Sequence, residues 1–245
     1  MNYAIIIPAR FPSTRLPGKP LVEISGVPMI VRTWRQCVKV AEPSNVYVAT
    51  DDQRVIDACK LHGIQALMTS DKCLTGTDRV AECAEMIEAD VFINVQGDEP
   101  LFNPEDILTI IEASRTSPDM IINGYAPLED AADYNSSQVP KVVVDQQENL
   151  IYMSRSPIPG NKRGEFALGW RQICAYAFPR EALRAFLSYG KKTPLESQED
   201  IEILRFLELG FRVKMIKMSA DSIPVDNPED IVKVEARLIE KSEQK

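Results

Sequence analysis

Three cations lie within a short, proline-rich stretch near the start of the chain. The stretch PARFPSTRLPGKP, residues 8–20, contains Arg10, Arg15 and Lys19 together with four prolines and one glycine. Arginine guanidinium groups match the geometry of phosphate oxygens, and lysine supplies a mobile point charge. The prolines limit the entropy that the loop loses when it is fixed, and Gly18 permits close backbone approach. The pattern predicts a triphosphate cradle, with a solvated basic turn as the alternative.

Two aspartates in other segments could hold a metal ion. Asp98 lies in VFINVQGDEPLF, residues 91–102, directly after an apolar run, and Asp226 lies in SIPVDNPEDI, residues 222–231. Magnesium in proteins prefers carboxylate, water and phosphate oxygens as ligands. The two acids therefore predict a magnesium site, although an aspartate before Asn-Pro is also typical of a helix cap.

A third segment has the composition of a nucleotide-binding turn. TGTDR, residues 75–79, places Thr and Gly at the start of a predicted helix, where they suit hydrogen bonds to a base or a ribose. Simple N-capping by Thr77 is an equal alternative. Neither the P-loop pattern GxxxxGK[ST] nor GxGxxG occurs in the chain, so the nucleotide would be bound without either motif.

These segments follow elements that alternate in the first half of the chain. We predict strands at residues 3–8, 45–50, 65–68 and 91–95. We predict helices at residues 28–40, 52–62, 78–87 and 103–114. Strands that are apolar throughout and separated by helices indicate a parallel sheet covered on both faces. Ligands bind beyond the carboxyl ends of such strands, which is where the basic loop and Asp98 fall.

The second half has a different pattern. We predict strands at residues 120–126, 141–144, 150–153, 172–178 and 212–217. We predict helices at residues 180–189, 199–209 and 228–241. The polar turn 145–149 indicates a hairpin, and residues 156–168 have the composition of an exposed loop. The prediction is one α/β domain over residues 1–245, with a smaller irregular β lobe near 127–170.

Composition narrows the class of protein. The 245-residue chain has 44% hydrophobic and 26% charged residues, which is ordinary for a globular domain, and a formal net charge of −8. The negative charge argues against broad nucleic-acid or anionic-membrane binding. No signal peptide and no apolar run near the ~18 residues of a membrane span are found. Five scattered cysteines without CxxC indicate free thiols in a reducing cytoplasm, and the single histidine, His62, argues against histidine acid–base chemistry.

Taken together, the motifs resemble one family. AIIIPARFPSTRLPGKPL, VYVATDD, LTGTDR, FINVQGDEP, KVVVD with LIYMSRSPIP, TPLE and VDNPEDI occur in the order typical of 3-deoxy-manno-octulosonate cytidylyltransferases (CMP-Kdo synthetases), from about residue 3 to residue 235. The resemblance implies a Rossmann-like nucleotide-diphospho-sugar transferase fold and a homodimer, formed through the lobe near 127–170. It implies an enzyme that joins CTP to the acidic sugar Kdo, giving the CMP-sugar and pyrophosphate.

The resemblance also implies roles for individual residues in an in-line attack of the anomeric hydroxyl on the α-phosphate, without a covalent enzyme intermediate. The triphosphate would be held by Arg10, Arg15 and Lys19, with Lys19 nearest the leaving pyrophosphate. Mg²⁺ would be bound by Asp98 and Asp226. The cytidine would lie near Gly76, Thr77 and Arg79. Catalysis would rest on charge neutralisation and positioning, chiefly by Lys19, Arg10 and Asp98.

The resemblance implies a second set of residues for the sugar. Gln96 would lie near the ribose or the sugar, and Arg155 would meet the sugar carboxylate. Glu196 and Glu199 would lie near the sugar hydroxyls, and Gln172 stands where the family usually has histidine.

The departures from the family pattern lie on this sugar side. Where the family has His-Leu-Gly the chain has Gln172-Ile173-Cys174, and Ile203 replaces a glutamine. The nucleotide side is intact. A modified Kdo or another acidic ulosonic acid is therefore open as the substrate, and so is unchanged use of Kdo. Enzymes of the family supply the activated sugar for lipopolysaccharide synthesis, but the residues leave open which glycan receives the sugar.

Two further classes of function compete with this one. A non-catalytic nucleotide-sugar sensor could share the fold, although retention of Arg10, Lys19, Asp98 and Asp226 argues against it. A uridylyl- or guanylyltransferase is disfavoured because the first loop of those enzymes usually begins with GxGTR, which the chain lacks.

Overall fold

The chain folds into alternating strands and helices, as described by a computed structural model of the backbone of residues 1–243 and the side chains of residues 1–240. The strands are β1 (Tyr3–Pro8), β2 (Glu23–Ile24), β3 (Val27–Pro28), β4 (Val46–Thr50), β5 (Gln65–Met68), β6 (Val91–Val95), β7 (Ile121–Pro127), β8 (Lys141–Val144), β9 (Leu150–Ser154), β10 (Trp170–Pro179) and β11 (Val213–Lys217). The helices are α1 (Met29–Cys37), α2 (Gln53–Leu61), α3 (Gly76–Ala84), α4 (Pro104–Thr116), α5 (Ala131–Asn135), α6 (Arg180–Tyr189), α7 (Pro194–Glu199), α8 (Ile203–Glu208) and α9 (Pro228–Glu243).

A mixed sheet forms the centre of the described chain, in the order β11-β7-β10-β6-β1-β4-β5. β1 pairs in parallel with both β4 and β6, β4 with β5, and β11 with β7. β10 runs antiparallel between β6 and β7. The expectation of an α/β fold with a mostly parallel central sheet is confirmed, and β10 is the antiparallel exception within it.

Both faces of the sheet are covered by helices, as the continuous apolar strands predict. All five residues of β6 are buried, and β1 alternates its isoleucines between the two cores. One core contains residues of α3, α6 and α8, and the other contains residues of α1, α2 and α4. Loops that leave the carboxyl ends of β1, β4 and β6 therefore meet at one edge, held by a rigid scaffold.

The predicted hairpin in the second half is confirmed as β8–β9. It joins the main sheet because Trp170 of β10 pairs with Val142 of β8, so the lobe near 127–170 extends the sheet. Within the described residues, no helix is both long enough and apolar enough to cross a bilayer.

The predicted helix at 199–209 is wrong in its first part. The capping box of Thr193 and Glu196 starts a separate short helix, α7, which ends at Asp200. Asp200 adopts the left-handed conformation with φ of 52°, which an α-helix cannot continue through. The chain then resumes as α8, and the break turns Glu202 toward the start of α3.

Candidate active site

A cavity of about 480 Å³ opens at the carboxyl edge of the parallel strands. Its walls come from the basic loop after β1, the start of α3 and the turn after β6. Residues on either side of α7 and Asp226, just before α9, complete the lining. The cavity brings together eight of the predicted site residues, namely Arg10, Arg15, Lys19, Gly76, Arg79, Gln96, Asp98 and Asp226. Five others do not line it: Thr77, Arg155, Gln172, Glu196 and Glu199.

The basic loop is held in place by a backbone hydrogen bond and by packing around the Phe11 ring. The Phe11 amide donates to Asp51 Oδ1 at 3.2 Å, and the Arg54 guanidinium lies 3.5 Å from the centroid of the Phe11 ring. Gly18 has φ of +67°, and a Cβ there would meet the same ring at 3.2 Å. The loop therefore needs glycine at this position, and its curvature presents Arg10 and Lys19 to the same cavity.

Lys19 bridges the two predicted metal-binding acids. Its Nζ lies 2.6 Å from Asp98 Oδ2 and 2.9 Å from Asp226 Oδ1, and Arg15 Nη2 lies 2.9 Å from the same Asp226 oxygen. Burial lowers the pKa of Lys19, but the carboxylates of Asp98 and Asp226 outweigh it and leave the pKa above 10.5. The ammonium is thus charged at neutral pH, and cations and acids alternate across the cavity wall.

The donor set of this wall fits a magnesium ion bound together with a nucleotide. Asp98 and Asp226 both contact the one ammonium, so their oxygens converge on a single point. Among residues 1–240, no group of three or more His, Cys, Asp or Glu side chains forms a self-sufficient metal cage. Mg²⁺ commonly takes one or two carboxylates and completes its shell with water and substrate phosphates.

The loops that carry Asp98 and Asp226 are tied to each other. The Val225 amide donates to the Asp98 carbonyl at 2.9 Å, and the Ser222 hydroxyl donates to the Glu99 carboxylate. Burial raises the pKa of Glu99 to about 7. Since Asp226 follows Val225 directly, the distance between the two acids is set by backbone contacts, although 128 positions of sequence separate them.

The predicted cytidine-side residues lie at the start of α3. Thr75, and not Thr77, caps this helix by accepting from the Asp78 amide, which removes capping as the reason for Thr77. The amides of Gly76 and Thr77 instead donate to the Glu202 carboxylate at 3.3 and 3.0 Å. Burial raises the pKa of Glu202. The helix start is therefore pre-ordered from across the cavity.

Arg79 is a buried residue that borders the cavity. Its Nη2 lies 2.9 Å from Asp51 Oδ2, its Nη1 donates to Thr69 Oγ1, and its side chain is 4% exposed. Asp51 also accepts from the Phe11 amide. The one carboxylate thus joins the basic loop to α3.

Most predicted sugar-side residues are held away from the cavity surface. Arg155 donates to the carbonyl oxygens of Glu199, Ser137 and Asp200, and Glu199 accepts from Ser154 Oγ at 2.7 Å. These contacts connect β9 to the end of α7. The sugar-contact roles of Arg155 and Glu199 remain predictions.

Glu196 and Gln172 are buried more deeply. Glu196 is 0% exposed and makes two 2.6 Å contacts with Arg205, which is itself fully buried. Gln172 Nε2 donates at 3.1 Å to Asn123 Oδ1 and to the Tyr176 hydroxyl. Gln96 is the predicted sugar-side residue that lines the cavity.

Sequence reasoning missed three cavity residues on the segment that leads into α8. Lys192 Nζ lies 2.5 Å from Asp200 Oδ1, and the Glu202 carboxylate accepts from the amides at the start of α3. A local signal for the first pair would have been the opposite charges of Lys192 and Asp200, which flank the segment of the capping box. No local signal identifies Glu202, because its partners lie more than a hundred positions away.

Comparisons with known proteins agree on one family. A family model described as cytidylyltransferase matches residues 4–217. The 3-deoxy-manno-octulosonate cytidylyltransferase of Escherichia coli is 37% identical, covering 96% of this chain and 95% of its own length. The enzyme of the same name from Chlorobium limicola is 40% identical, covering 94% and 95%. The structure of CMP:2-keto-3-deoxy-manno-octonic acid synthetase complexed with CTP superposes with a TM-score of 0.92 at 36% identity, covering 98% of this chain and 100% of that one. HddC from Yersinia pseudotuberculosis, 18% identical with a TM-score of 0.71, shares the fold.

Proposed function

The chain belongs to the cytidylyltransferase family, and within it to the 3-deoxy-manno-octulosonate cytidylyltransferases, and from that premise we propose that it transfers CMP from CTP to Kdo. The observation that carries the proposal is the wall of alternating charge in which Lys19 is shared by Asp98 and Asp226 beside Arg10 and Arg15. A triphosphate with its metal presents the complementary pattern of charge.

In the proposed reaction the anomeric hydroxyl oxygen of Kdo attacks the α-phosphorus of CTP. The bond from that phosphorus to the oxygen bridging to the β-phosphate breaks, pyrophosphate leaves, and the hydroxyl proton is released. Arg10 and Arg15 hold the phosphates in line, and Lys19 faces the leaving pyrophosphate. These are positioning and electrostatic contributions, and no side chain forms a covalent bond to substrate.

We propose Mg²⁺ as the cofactor, held by Asp98 and Asp226. When bound with CTP, the ion would neutralise charge that develops on the phosphate oxygens. Lys19 is then free to turn from the two carboxylates toward the β- and γ-phosphates. The convergence of both acids on one ammonium supports this exchange of partners.

Kdo is the sugar that the family membership favours over other ulosonic acids. Ile203, which replaces a family glutamine, is the first residue of α8 and is buried in the core. Gln172 donates from Nε2 to Asn123 and Tyr176, so it supplies buried hydrogen bonds at the position of the family histidine.

We further propose that the chain forms a homodimer in the cytoplasm. Its product, CMP-Kdo, would supply the activated sugar for lipopolysaccharide synthesis. The exposed apolar side chains of Ile151 and Leu168 in the lobe support an interface there. Light scattering on the purified chain tests the dimer, and a monomer at micromolar concentration would contradict it.

Pyrophosphate release from CTP, Mg²⁺ and Kdo tests the proposed function directly. Turnover with Kdo, and little with UTP or GTP in place of CTP, is the expected result. A panel of ulosonic acids in the same assay identifies a different sugar if one is preferred. Tight binding of CTP without turnover on any sugar of the panel would overturn the proposal in favour of a sensor.

A further inference from the structure

Three polar or partly polar residues form a row across the centre of the sheet. Tyr176 of β10 pairs directly opposite Asn94 of β6 on one side and opposite Asn123 of β7 on the other. Residues directly opposite in a sheet present their side chains on the same face. Asn94 and Asn123 are both 0% exposed, so two buried amides flank one tyrosine in an otherwise apolar core.

Asn123 has a full set of protein partners. Its Nδ2 donates at 2.9 Å to the carbonyls of Ile173 and Ala175, and its Oδ1 accepts from Gln172 Nε2 at 3.1 Å. The two carbonyls lie where the pairing of β10 with β7 shifts register. Asn123 therefore satisfies the backbone of a bulge, which is a structural task.

Asn94 has the same burial and none of these partners. Within the described residues, neither its Nδ2 nor its Oδ1 has a hydrogen-bond partner. Buried side-chain amides in folded proteins are nearly always paired, and an unpaired one is unfavourable in a medium of low polarity. Tyr176, its neighbour across the strand, has its hydroxyl engaged by Gln172. A partner for Asn94 must therefore come from outside the described residues.

The position of Asn94 shows where that partner would enter. Side chains of a strand alternate, so Asn94 shares its face with Gln96, two residues or about 7 Å further along the chain. Gln96 lines the cavity, and its amide lies within 4 Å of the position a Cβ would take on Gly76. On the neighbouring β1, Ile6 pairs with Asn94 and Pro8 lines the cavity. Asn94 thus lies on the same face of the sheet as Gln96, two residues further from the cavity.

We propose that Asn94 is the deepest polar group of the sugar subsite and binds a hydroxyl group there. An amide that offers both donors and an acceptor suits a hydroxyl, which can accept and donate at the same site. The hydroxyl belongs either to the acidic sugar or to a water held beneath it against Gln96. The inference rests on the proposed function, because it takes the ligand above Gln96 to be the sugar.

The test compares Asn94→Leu with the matched variant Asn123→Leu. Leucine has the same branching and the same number of side-chain heavy atoms as asparagine, so both variants remove polarity from buried positions of one sheet. The melting temperature of Asn94→Leu should equal or exceed that of the wild type, because no protein hydrogen bond is lost. Asn123→Leu strands two carbonyls and Gln172, so its melting temperature should fall by at least about 4 °C.

Substrate kinetics provide the second readout. Asn94→Leu should raise KM for the sugar on the order of tenfold, the effect of one lost neutral hydrogen bond. KM for CTP should stay within about twofold, since the nucleotide contacts lie on other loops. Asn94→Thr, which restores a hydroxyl, should recover part of the sugar affinity. Sugar analogues that each lack one hydroxyl separate the two sources. If one analogue has a higher KM than Kdo in the wild type but not in Asn94→Leu, Asn94 contacts that hydroxyl directly. If Asn94→Leu raises KM equally for every analogue, Asn94 binds the water.

A fall in the melting temperature of Asn94→Leu comparable with that of Asn123→Leu, or a failure of this variant to fold, would overturn the proposal. An unchanged sugar KM would do the same. Sugar-induced stabilisation of the wild type, measured by thermal shift, separates this result from failure of the proposed function. If the wild type turns over the sugar and Asn94→Leu has the same sugar KM, only the role of Asn94 is refuted. If the wild type neither binds nor activates any sugar, the proposed function is refuted as well.

Discussion

Lys19 Nζ lies 2.6 Å from Asp98 Oδ2, so the cation assigned to the leaving group is held by an acid assigned to the metal. The side chains are 15% and 31% exposed, which limits solvent screening of the contact. In the free chain Lys19 and Arg15 together balance the charges of Asp98 and Asp226. Nucleotide and metal would then replace one set of ion pairs by another, without leaving an uncompensated charge in the cavity.

Replacing Lys19 by methionine should give a loss of stability that depends on pH. The pKa of Lys19 in the folded chain lies above its ordinary value of 10.5. A raised lysine pKa contributes stability that is fully present below about pH 10.5 and is lost as pH rises through the folded-state value. Urea unfolding should therefore show a constant deficit for Lys19→Met at neutral pH and a shrinking one above pH ~10.5. The exposed-lysine variant Lys60→Met is the control, and a deficit that grows with pH would contradict the assignment.

Asp98→Asn should retain the fold and lose turnover. The change removes one of the two carboxylates expected at the metal, so pyrophosphate release at saturating CTP should fall by at least on the order of a hundredfold. Circular dichroism should show unchanged secondary structure. Asp57→Asn, an exposed acid on α2, is the matched control. Near-normal turnover of Asp98→Asn at low Mg²⁺ would refute the metal assignment.

Glu196→Leu should chiefly affect stability. Glu196 and Arg205 form a fully buried pair, and removal of one partner from such a pair costs about 3–5 kcal/mol. Arg205 would keep its 3.2 Å contact with Asp78 and its packing over the Phe186 ring, but no carboxylate within 3 Å among the described residues. Urea denaturation measures the effect, with the exposed Glu181→Leu on α6 as the comparison. If Glu196→Leu unfolds at the wild-type midpoint but loses sugar affinity, the sugar-contact role predicted for Glu196 is favoured instead.

Gly97→Ala should disturb the basic loop without touching a charged residue. A Cβ on Gly97 would lie 2.6 Å from the carbonyl oxygen of Pro8, which immediately precedes that loop. The backbone must move, and a shift of about 1 Å in positioned groups can cost a hundredfold in rate. Gly160→Ala is the control, since a Cβ there meets nothing within 4 Å. Steady-state kinetics that are equal for both variants would show that the contact with Pro8 is not critical.

The elements of the first half were predictable because each carries a strong local signal. Continuous apolar runs mark β1, β4 and β6, and the basic loop and Asp98 follow two of them directly. A parallel arrangement brings such loops together whatever their distance in sequence. The cavity wall could therefore be predicted from the residues once the strands were placed.

The remaining parts depend on contacts between distant segments, which no local pattern encodes. The insertion of β10 antiparallel between β6 and β7 is a matter of strand order. The family resemblance of its segment predicts Glu196 near the sugar hydroxyls, and the structure buries its side chain against Arg205. Glu202 was missed because its partners, Gly76 and Thr77, belong to the first half of the chain.

The position of β10 also bears on how enzymes of this kind diverge. Its later part, from Ala175 to Pro179, pairs with β6 and so supports the strand that precedes Asp98, the proposed metal ligand. Its earlier part, from Trp170 to Ile173, pairs only with β7 and β8. The departures from the family pattern at Gln172 and Ile173 fall in that earlier part. Because that part of β10 does not pair with β6, we expect substitutions on the proposed sugar side to leave the strand before the proposed metal acid, and with it the use of CTP, unchanged.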